Sequence, residues 1–109
     1  MLSKKRQLLF ELQAEIIKAI AHPLRIAIVE FLKDGPQCVC DIAEYIGSER
    51  SNVSRHLSVM VSAGLLESRK EGLKVIYKLK TPCILDFLSC IIACLKQQLK
   101  DSEKLFTAL

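Results

Sequence analysis

Two cysteines separated by one residue, Cys38 and Cys40 in the run CVCD, are the residues of this sequence best suited to chemistry. The chain has five cysteines among 109 residues, and the other three are Cys83, Cys90 and Cys94. We expect a soluble, cytoplasmic protein, since the sequence has no long apolar run and no signal segment at its start. An odd number of cysteines in that compartment argues against a disulfide framework. Metal binding, redox chemistry and simple packing remain as roles for the thiols.

The thiol pair needs a break in the helix if its two sulfurs are to bind one ion. On a regular helix, residues two apart point in nearly opposite directions. Gly35 and Pro36 end the preceding helix, so Cys38 falls where the next helix begins. A helix-capping residue lies outside helical dihedral angles, which allows the sulfurs of Cys38 and Cys40 to converge. The N-terminus of a helix also favours negative groups such as thiolates.

The other three thiols lie on one stripe of the last predicted helix. Cys90 and Cys94 are four residues apart, and Cys83 precedes Cys90 by seven. Such a pair can chelate a soft ion, which would make a second metal site, but small apolar packing in a dimer core is equally consistent with the spacing. Soft ions such as As(III) and Pb(II) usually bind more thiolates than the two at Cys38 and Cys40.

The elements around the thiol pair predict a helix-turn-helix over residues 38–63. A short helix over 38–46 ends at Gly47, and a second helix covers 49–63 with Val53, Leu57 and Met60 facing inward. The outward side chains of the second helix suit base edges and phosphates in a major groove. They are Arg50, Ser51, Asn52, Ser54 and Arg55. His56 is expected to be a buried, hydrogen-bonded histidine, and His22 to begin a helix beside Pro23.

Two strands over residues 65–80 follow and form a hairpin that turns at Glu71-Gly72. We expect Arg69, Lys70 and Lys74 to make this hairpin, or wing, a DNA-binding element. Seven basic and three acidic residues between positions 48 and 80 give this segment the same excess of positive charge, +4, as the whole chain. Such concentration of charge is typical of a surface that binds a polyanion.

The first and last helices, over residues 3–20 and 82–106, are predicted to form a dimer interface. The last helix is apolar nearly all round at its start, so it must be covered on both sides. The sequence therefore predicts one domain over 1–109, mainly α with a small β-hairpin: a winged helix-turn-helix that dimerises through its first and last helices. No nucleophile–base order, Gly-rich phosphate loop or zincin motif is present, so we do not expect an enzyme.

Four segments of the sequence resemble the ArsR/SmtB family of winged helix-turn-helix, metal-responsive repressors. The segments are AHPLRIAIVEFL, CVCDIAEYIG, SNVSRHLSVMVSAGLLESRKEG and VIYKL. The resemblance implies a homodimer that binds a palindromic operator on double-stranded DNA and leaves it when an inducer binds. The run CVCDIA resembles the thiol-pair signature of the arsenic-sensing and the cadmium/lead-sensing branches.

The sequence also departs from these relatives. The arsenic-sensing pattern has a third cysteine where Ala43 stands, and the cadmium/lead branch draws cysteines from an N-terminal extension, whereas MLSKKRQLL has none. The zinc-sensing branch uses Asp, His, His and Glu on the last helix, but no histidine follows His56.

The leading hypothesis is a repressor with no permanent cofactor that is released from DNA by a thiophilic metal(loid). As(III) or Sb(III) is the first expected inducer, and Cd(II) or Pb(II) the second. The alternative is a thiol-redox or persulfide sensor of the same fold. Residues 24–32 contain no cysteine, which disfavours one family version of that chemistry, but a bridge between Cys40 and Cys94 stays open.

Overall fold

The computed structural model describes residues 1–108 and is mainly helical, with a small antiparallel sheet. The helices are α1 (Lys4–Ile20), α2 (Pro23–Phe31), α3 (Val39–Ile46), α4 (Arg50–Ser62) and α5 (Ile84–Ala108). The strands are β1 (Gln37–Cys38), β2 (Leu66–Glu71) and β3 (Lys74–Leu79), in the spatial order β1-β3-β2. This arrangement confirms the predicted fold class, a winged helix-turn-helix.

The first two helices begin at the residues that the sequence indicates. The Ser3 hydroxyl accepts a hydrogen bond from the Arg6 backbone N–H at 3.2 Å. Nδ1 of His22 accepts one from the Leu24 N–H at 3.1 Å, and Pro23 occupies the first turn. Each cap satisfies a backbone donor that has no partner within its helix.

The second helix ends at Phe31, because residues 32–34 form a tighter 3-10 turn before Gly35. The backbone N–H of Gly35 donates to the Leu32 carbonyl at 3.2 Å, and Gly35 has a φ of 141°. A 3-10 turn is a common way to satisfy the last carbonyls of a helix. The buried Leu32 still reaches the core from this turn.

The α3 and α4 helices form the helix-turn-helix around a left-handed residue. Gly47 has φ 74° and ψ 33°, and its N–H donates to the Ala43 carbonyl at 2.9 Å. Glycine adopts this conformation without the steric cost that a side chain brings. Val53, Leu57 and Met60 of α4 are fully buried, as predicted, and pack into one core with α2, α3 and the start of β2.

The wing consists of β2 and β3, with Leu66 opposite Leu79 and Glu71 opposite Lys74. Tyr77 and Leu79 pack against the core, while Lys74 and Lys78 are exposed on the alternate positions. The additional strand β1 was not predicted; it pairs Cys38 with Ile76 of β3. A strand of two residues has no period from which it can be recognised.

The long helices α1 and α5 extend away from this core. The chain measures 61 × 42 × 22 Å and has a radius of gyration of 17.6 Å, whereas about 13 Å is typical of a compact domain of this length. Only Ile84 and Leu88 of α5 are buried, so most apolar residues of this helix are exposed. Within residues 1–108, no helix is sufficiently long and apolar to cross a membrane.

Candidate functional site

Cys38 caps the N-terminus of α3. Its backbone is extended, with φ −77° and ψ 157°, and its Sγ accepts a hydrogen bond from the Asp41 backbone N–H at 3.4 Å. The side chain is 7% exposed. The break in helical geometry expected at Cys38 is therefore present, and β1 also holds this residue against the wing.

Cys40 lies two residues further along, in the first turn of α3, and is half-buried. Its Sγ accepts a hydrogen bond from Nη2 of Arg50. Arg50 is the first residue of α4, so the second thiol contacts the helix predicted to read DNA. The sequence predicts Arg50 only on the DNA-binding face and does not predict this contact, since nothing in the periodicity relates residues ten apart.

The donor set at the start of α3 suits a soft ion but does not complete its coordination. Two sulfurs of the preferred ligand type stand at one end of one helix. Within the described residues 1–108, no group of three or more Cys, His, Asp or Glu side chains is arranged to hold a metal. Further ligands would have to come from hydroxide, from other thiols or from a second chain.

The other three thiols are all exposed and lie along α5. Cys83 occupies the turn that precedes the helix, while Cys90 and Cys94 stand one turn apart within it. Nε2 of Gln98 lies 3.8 Å from the Cys94 Sγ. None of these thiols belongs to the core of the single chain, whose contribution from α5 is Ile84 and Leu88.

The outward face of α4 carries the predicted DNA-binding side chains. Arg50, Ser51, Ser54 and Arg55 are exposed. Asn52 is half-buried, and its Nδ2 donates to the Ser48 hydroxyl at 2.8 Å. This bond uses one of the two amide N–H groups of Asn52 and fixes its side chain over the turn.

The charges of the wing are partly paired. Nε of Arg69 lies 2.9 Å from a Glu71 carboxylate oxygen, and Nζ of Lys78 lies 3.0 Å from Glu67. Among residues 1–108, no ion pair includes Lys70 or Lys74, and both are exposed. These two lysines are therefore the better placed of the predicted wing residues to contact phosphate.

A histidine pair connects α4 to α2. The rings of His22 and His56 are 4.5 Å apart, and Nε of Arg25 donates to Nδ1 of His56 at 3.0 Å. Burial lowers the pKa of His56, and the electrostatic influence of His22, Arg25 and Arg55 lowers it further. His56 is hydrogen-bonded, as expected, although it is half-buried rather than fully buried.

Comparison with known proteins gives consistent matches along most of the chain. The profile of the family described as bacterial regulatory protein, arsR family, matches residues 22–68. The HTH-type transcriptional regulator Rv0081 from Mycobacterium tuberculosis is 35% identical over 94 residues, which cover 85% of this chain and 82% of the relative. The crystal structure of Rv0081 superposes with a TM-score of 0.75 over 85% of this chain and 94% of that one.

Two further relatives bear on the assembly and on the ligand. The solution structure of the homodimeric winged helix-turn-helix DNA-binding domain of Mb0332 from Mycobacterium bovis has a TM-score of 0.79 at 25% identity, covering 92% of this chain and 93% of that one. The arsenical resistance operon repressor of Escherichia coli is 37% identical over 71 residues, which are 64% of this chain and 61% of that repressor. From the matching profile and the extended likeness to Rv0081, the chain belongs to the arsR family of bacterial regulatory proteins, which are winged helix-turn-helix DNA-binding regulators of transcription.

Proposed function

We propose that this protein is a homodimeric transcriptional repressor that leaves its operator when a thiophilic metal(loid) binds Cys38 and Cys40. As(III) or Sb(III) is the first candidate inducer, and Cd(II) or Pb(II) the second. The proposal depends on one observation: both sulfurs lie at the N-terminal end of the first helix of the helix-turn-helix, and one of them contacts the recognition helix.

DNA binding is assigned to α4 and to the wing. The exposed side chains of α4, from Arg50 to Arg55, are of types that bind base edges and phosphates in a major groove. Lys70 and Lys74 extend the positive surface to the wing, where they can contact phosphates of the same operator. Asn52 and Arg69 are also assigned to DNA binding, although the side chain of each already donates a hydrogen bond within the chain.

The dimer is assigned to the exposed apolar faces of α1 and α5. The chain has 8115 Å² of accessible surface, whereas a compact monomer of its mass exposes about 6,100 Å². The excess is about 2,000 Å² per chain, or about 4,000 Å² for two chains, which lies in the range that obligate homodimers bury. Among the exposed residues are Leu8, Leu12, Ile16, Ile91, Leu95 and Leu99. The homodimeric state given for the Mb0332 domain supports the same assembly.

The inducer is assigned from the chemistry of the two thiols. Each thiol can replace one hydroxyl group of arsenite with release of water, which leaves one position for hydroxide or a further thiol. The likeness to the arsenical resistance operon repressor supports As(III) as the first candidate. Ala43 stands where the arsenic-sensing pattern has a third cysteine. Cys38 and Cys40 would therefore be the two thiols of this chain that bind arsenic here.

An ion at this place acts on two connections at once. Cys38 is paired with Ile76 of the wing through β1, and α3 is joined to α4 by the turn at Gly47. A rearrangement of the first turn of α3 would therefore move both DNA-binding elements relative to each other. To take DNA occupancy from nearly complete to nearly absent, the ion must favour the non-binding form by about 5 kcal/mol.

The test is release of a labelled DNA fragment carrying the promoter of the protein's own gene, followed by fluorescence anisotropy during titration with arsenite. The reduced wild-type protein is expected to release the fragment. Cys38→Ser and Cys40→Ser are expected to stay bound, while Cys83→Ser, the same exchange at an exposed thiol, responds as wild type. The assignment of the site would be contradicted if either the Cys38→Ser or the Cys40→Ser variant left the DNA at the arsenite concentrations that release the wild-type protein.

The thiols of α5 are proposed as a second, separate place for soft ions. Cys90 and Cys94 are exposed and one turn apart on α5, whereas Cys83 lies in the turn just before this helix and not on its predicted stripe. In the alternative function, a thiol-redox or persulfide sensor, Cys94 would instead form a disulfide or polysulfide bridge with Cys40. Mass spectrometry after treatment with tetrasulfide separates the two chemistries, because only the sensor of reactive sulfur gives an intramolecular cross-link.

A further inference from the structure

Arg50 stands where the thiol pair and the DNA-binding surface meet. It is the first residue of α4, and the N-terminal residues of a recognition helix are those that approach the bases. Its Nη2 donates to the Sγ of Cys40, a residue of α3. This contact connects the two helices directly, independently of the turn at Gly47.

The sulfur is the acceptor that fixes the Arg50 side chain. Within residues 1–108, no carboxylate forms an ion pair with Arg50, and the four ion pairs present involve other residues. A guanidinium group has five N–H donors in a planar fork. With one nitrogen held by Cys40, the remaining donors stay available on the exposed start of α4.

We propose that Cys40 positions the DNA-contacting side chain of Arg50, and that Arg50 thereby transmits ion binding at Cys40 to the DNA-binding surface. Without an ion, the sulfur holds the guanidinium in an orientation that favours contact with DNA. This inference rests on the proposed function and deepens it, because it names the side chain through which the thiol site reaches the recognition helix.

Binding of an ion removes the interaction that orients Arg50. A sulfur that shares a lone pair with a metal(loid) is a poorer hydrogen-bond acceptor for the guanidinium. Arg50 then leaves its position, and the operator loses a contact at the start of α4.

The experiment compares Arg50→Gln with Arg55→Gln, a matched exchange at an exposed arginine of the same helix. Operator affinity is measured with and without saturating arsenite, and arsenite binding is followed by thiolate absorption. Arg50→Gln is expected to bind arsenite, but the factor by which arsenite weakens DNA binding falls at least about fivefold. Arg55→Gln weakens DNA binding with and without arsenite by the same factor, so its response to arsenite equals that of wild type.

A second comparison needs no ion. Cys40→Ala is expected to lower operator affinity about threefold in the wild-type background, because the orientation of Arg50 is lost, but not in the Arg50→Gln background. An equal loss in both backgrounds, or an undiminished arsenite response of Arg50→Gln, would overturn the positioning role. Arg50→Lys, which keeps the charge, replaces Arg50→Gln in both comparisons if the latter does not fold.

The outcomes separate this inference from the proposed function. If arsenite does not release the wild-type protein, the proposed function is wrong, and the comparison without ion alone decides whether Cys40 positions Arg50. If arsenite releases wild type and Arg50→Gln to the same extent, the proposed function stands and the transmission through Arg50 is wrong.

Discussion

At the scale of single residues, the two histidines and Arg25 form a set of polar contacts where α2 meets α4. Nδ1 of His56 accepts from Arg25, and Nδ1 of His22 accepts from the backbone of α2. The bond from Arg25 requires an unprotonated Nδ1, so the folded chain favours the neutral form of His56. The surrounding positive charges act in the same direction on the pKa of His56.

The stability of the protein is therefore expected to fall in mild acid. Because the pKa of His56 is lowered on folding, the unfolded chain binds a proton first as the pH falls through about 6.5. The stabilisation is complete above that pH and is lost progressively until the pH passes below the lowered pKa of the folded state. The free energy of unfolding, measured in urea between pH 7.5 and 5.5, should show this decline.

His56→Gln is the variant that isolates this effect. It removes the titrating ring, so its free energy of unfolding should decline less over the same pH range, whatever its value at pH 7.5. Equal pH dependence of the wild-type and His56→Gln proteins would show that His56 does not govern acid stability.

At the scale of elements, the features that depend on local sequence pattern could be predicted. The features that depend on contacts between distant segments could not. The Gly35-Pro36 break placed Cys38 at the start of α3, and the period of Val53, Leu57 and Met60 placed the buried face of α4. Neither β1 nor the bond from Arg50 to Cys40 could be predicted, since both join segments through tertiary packing. The pairing of Arg69 with Glu71 was accessible, because residues two apart share one face of a strand.

The wing gives a prediction at this scale. Replacing Lys70 or Lys74 by Gln should weaken operator binding similarly for different DNA sequences, since phosphate contacts carry little sequence information. Each exchange should reduce the salt dependence, the slope of log affinity against log salt, by about one. Lys96→Gln on α5 is the matched control and should leave both quantities unchanged. A wild-type slope in the variants Lys70→Gln and Lys74→Gln would remove the wing from the DNA interface.

At the scale of the whole molecule, the exposed apolar faces of α1 and α5 are expected to control the assembly. A chain with this much exposed apolar surface on two extended helices is expected to pair with a second copy. Pairing would also set the spacing of the two α4 helices, because in the proposed complex each protomer would contact one half of a palindromic operator. The oligomeric state and DNA binding are therefore expected to be lost together.

Leu12→Glu tests this connection, since Leu12 lies in the apolar stripe of α1 and is 56% exposed in the single chain. Burying its charge in an interface should raise the dissociation constant of the dimer more than about tenfold. Gln7→Glu adds the same charge to α1 outside the stripe and should remain dimeric. Sedimentation velocity measures both, and a stable Leu12→Glu dimer would place the interface elsewhere.

The most direct measurement uses a protein in which Cys38 and Cys40 are the only thiols, made by the three exchanges Cys83→Ser, Cys90→Ser and Cys94→Ser. Arsenite is titrated into its complex with the labelled promoter fragment, while anisotropy reports DNA release and ultraviolet absorption reports sulfur–arsenic bonds. We expect both signals to change together and release to be complete, as in wild type. If the absorption saturates while the DNA remains bound, or no sulfur–arsenic bonds form, ion binding at the start of α3 does not control this repressor.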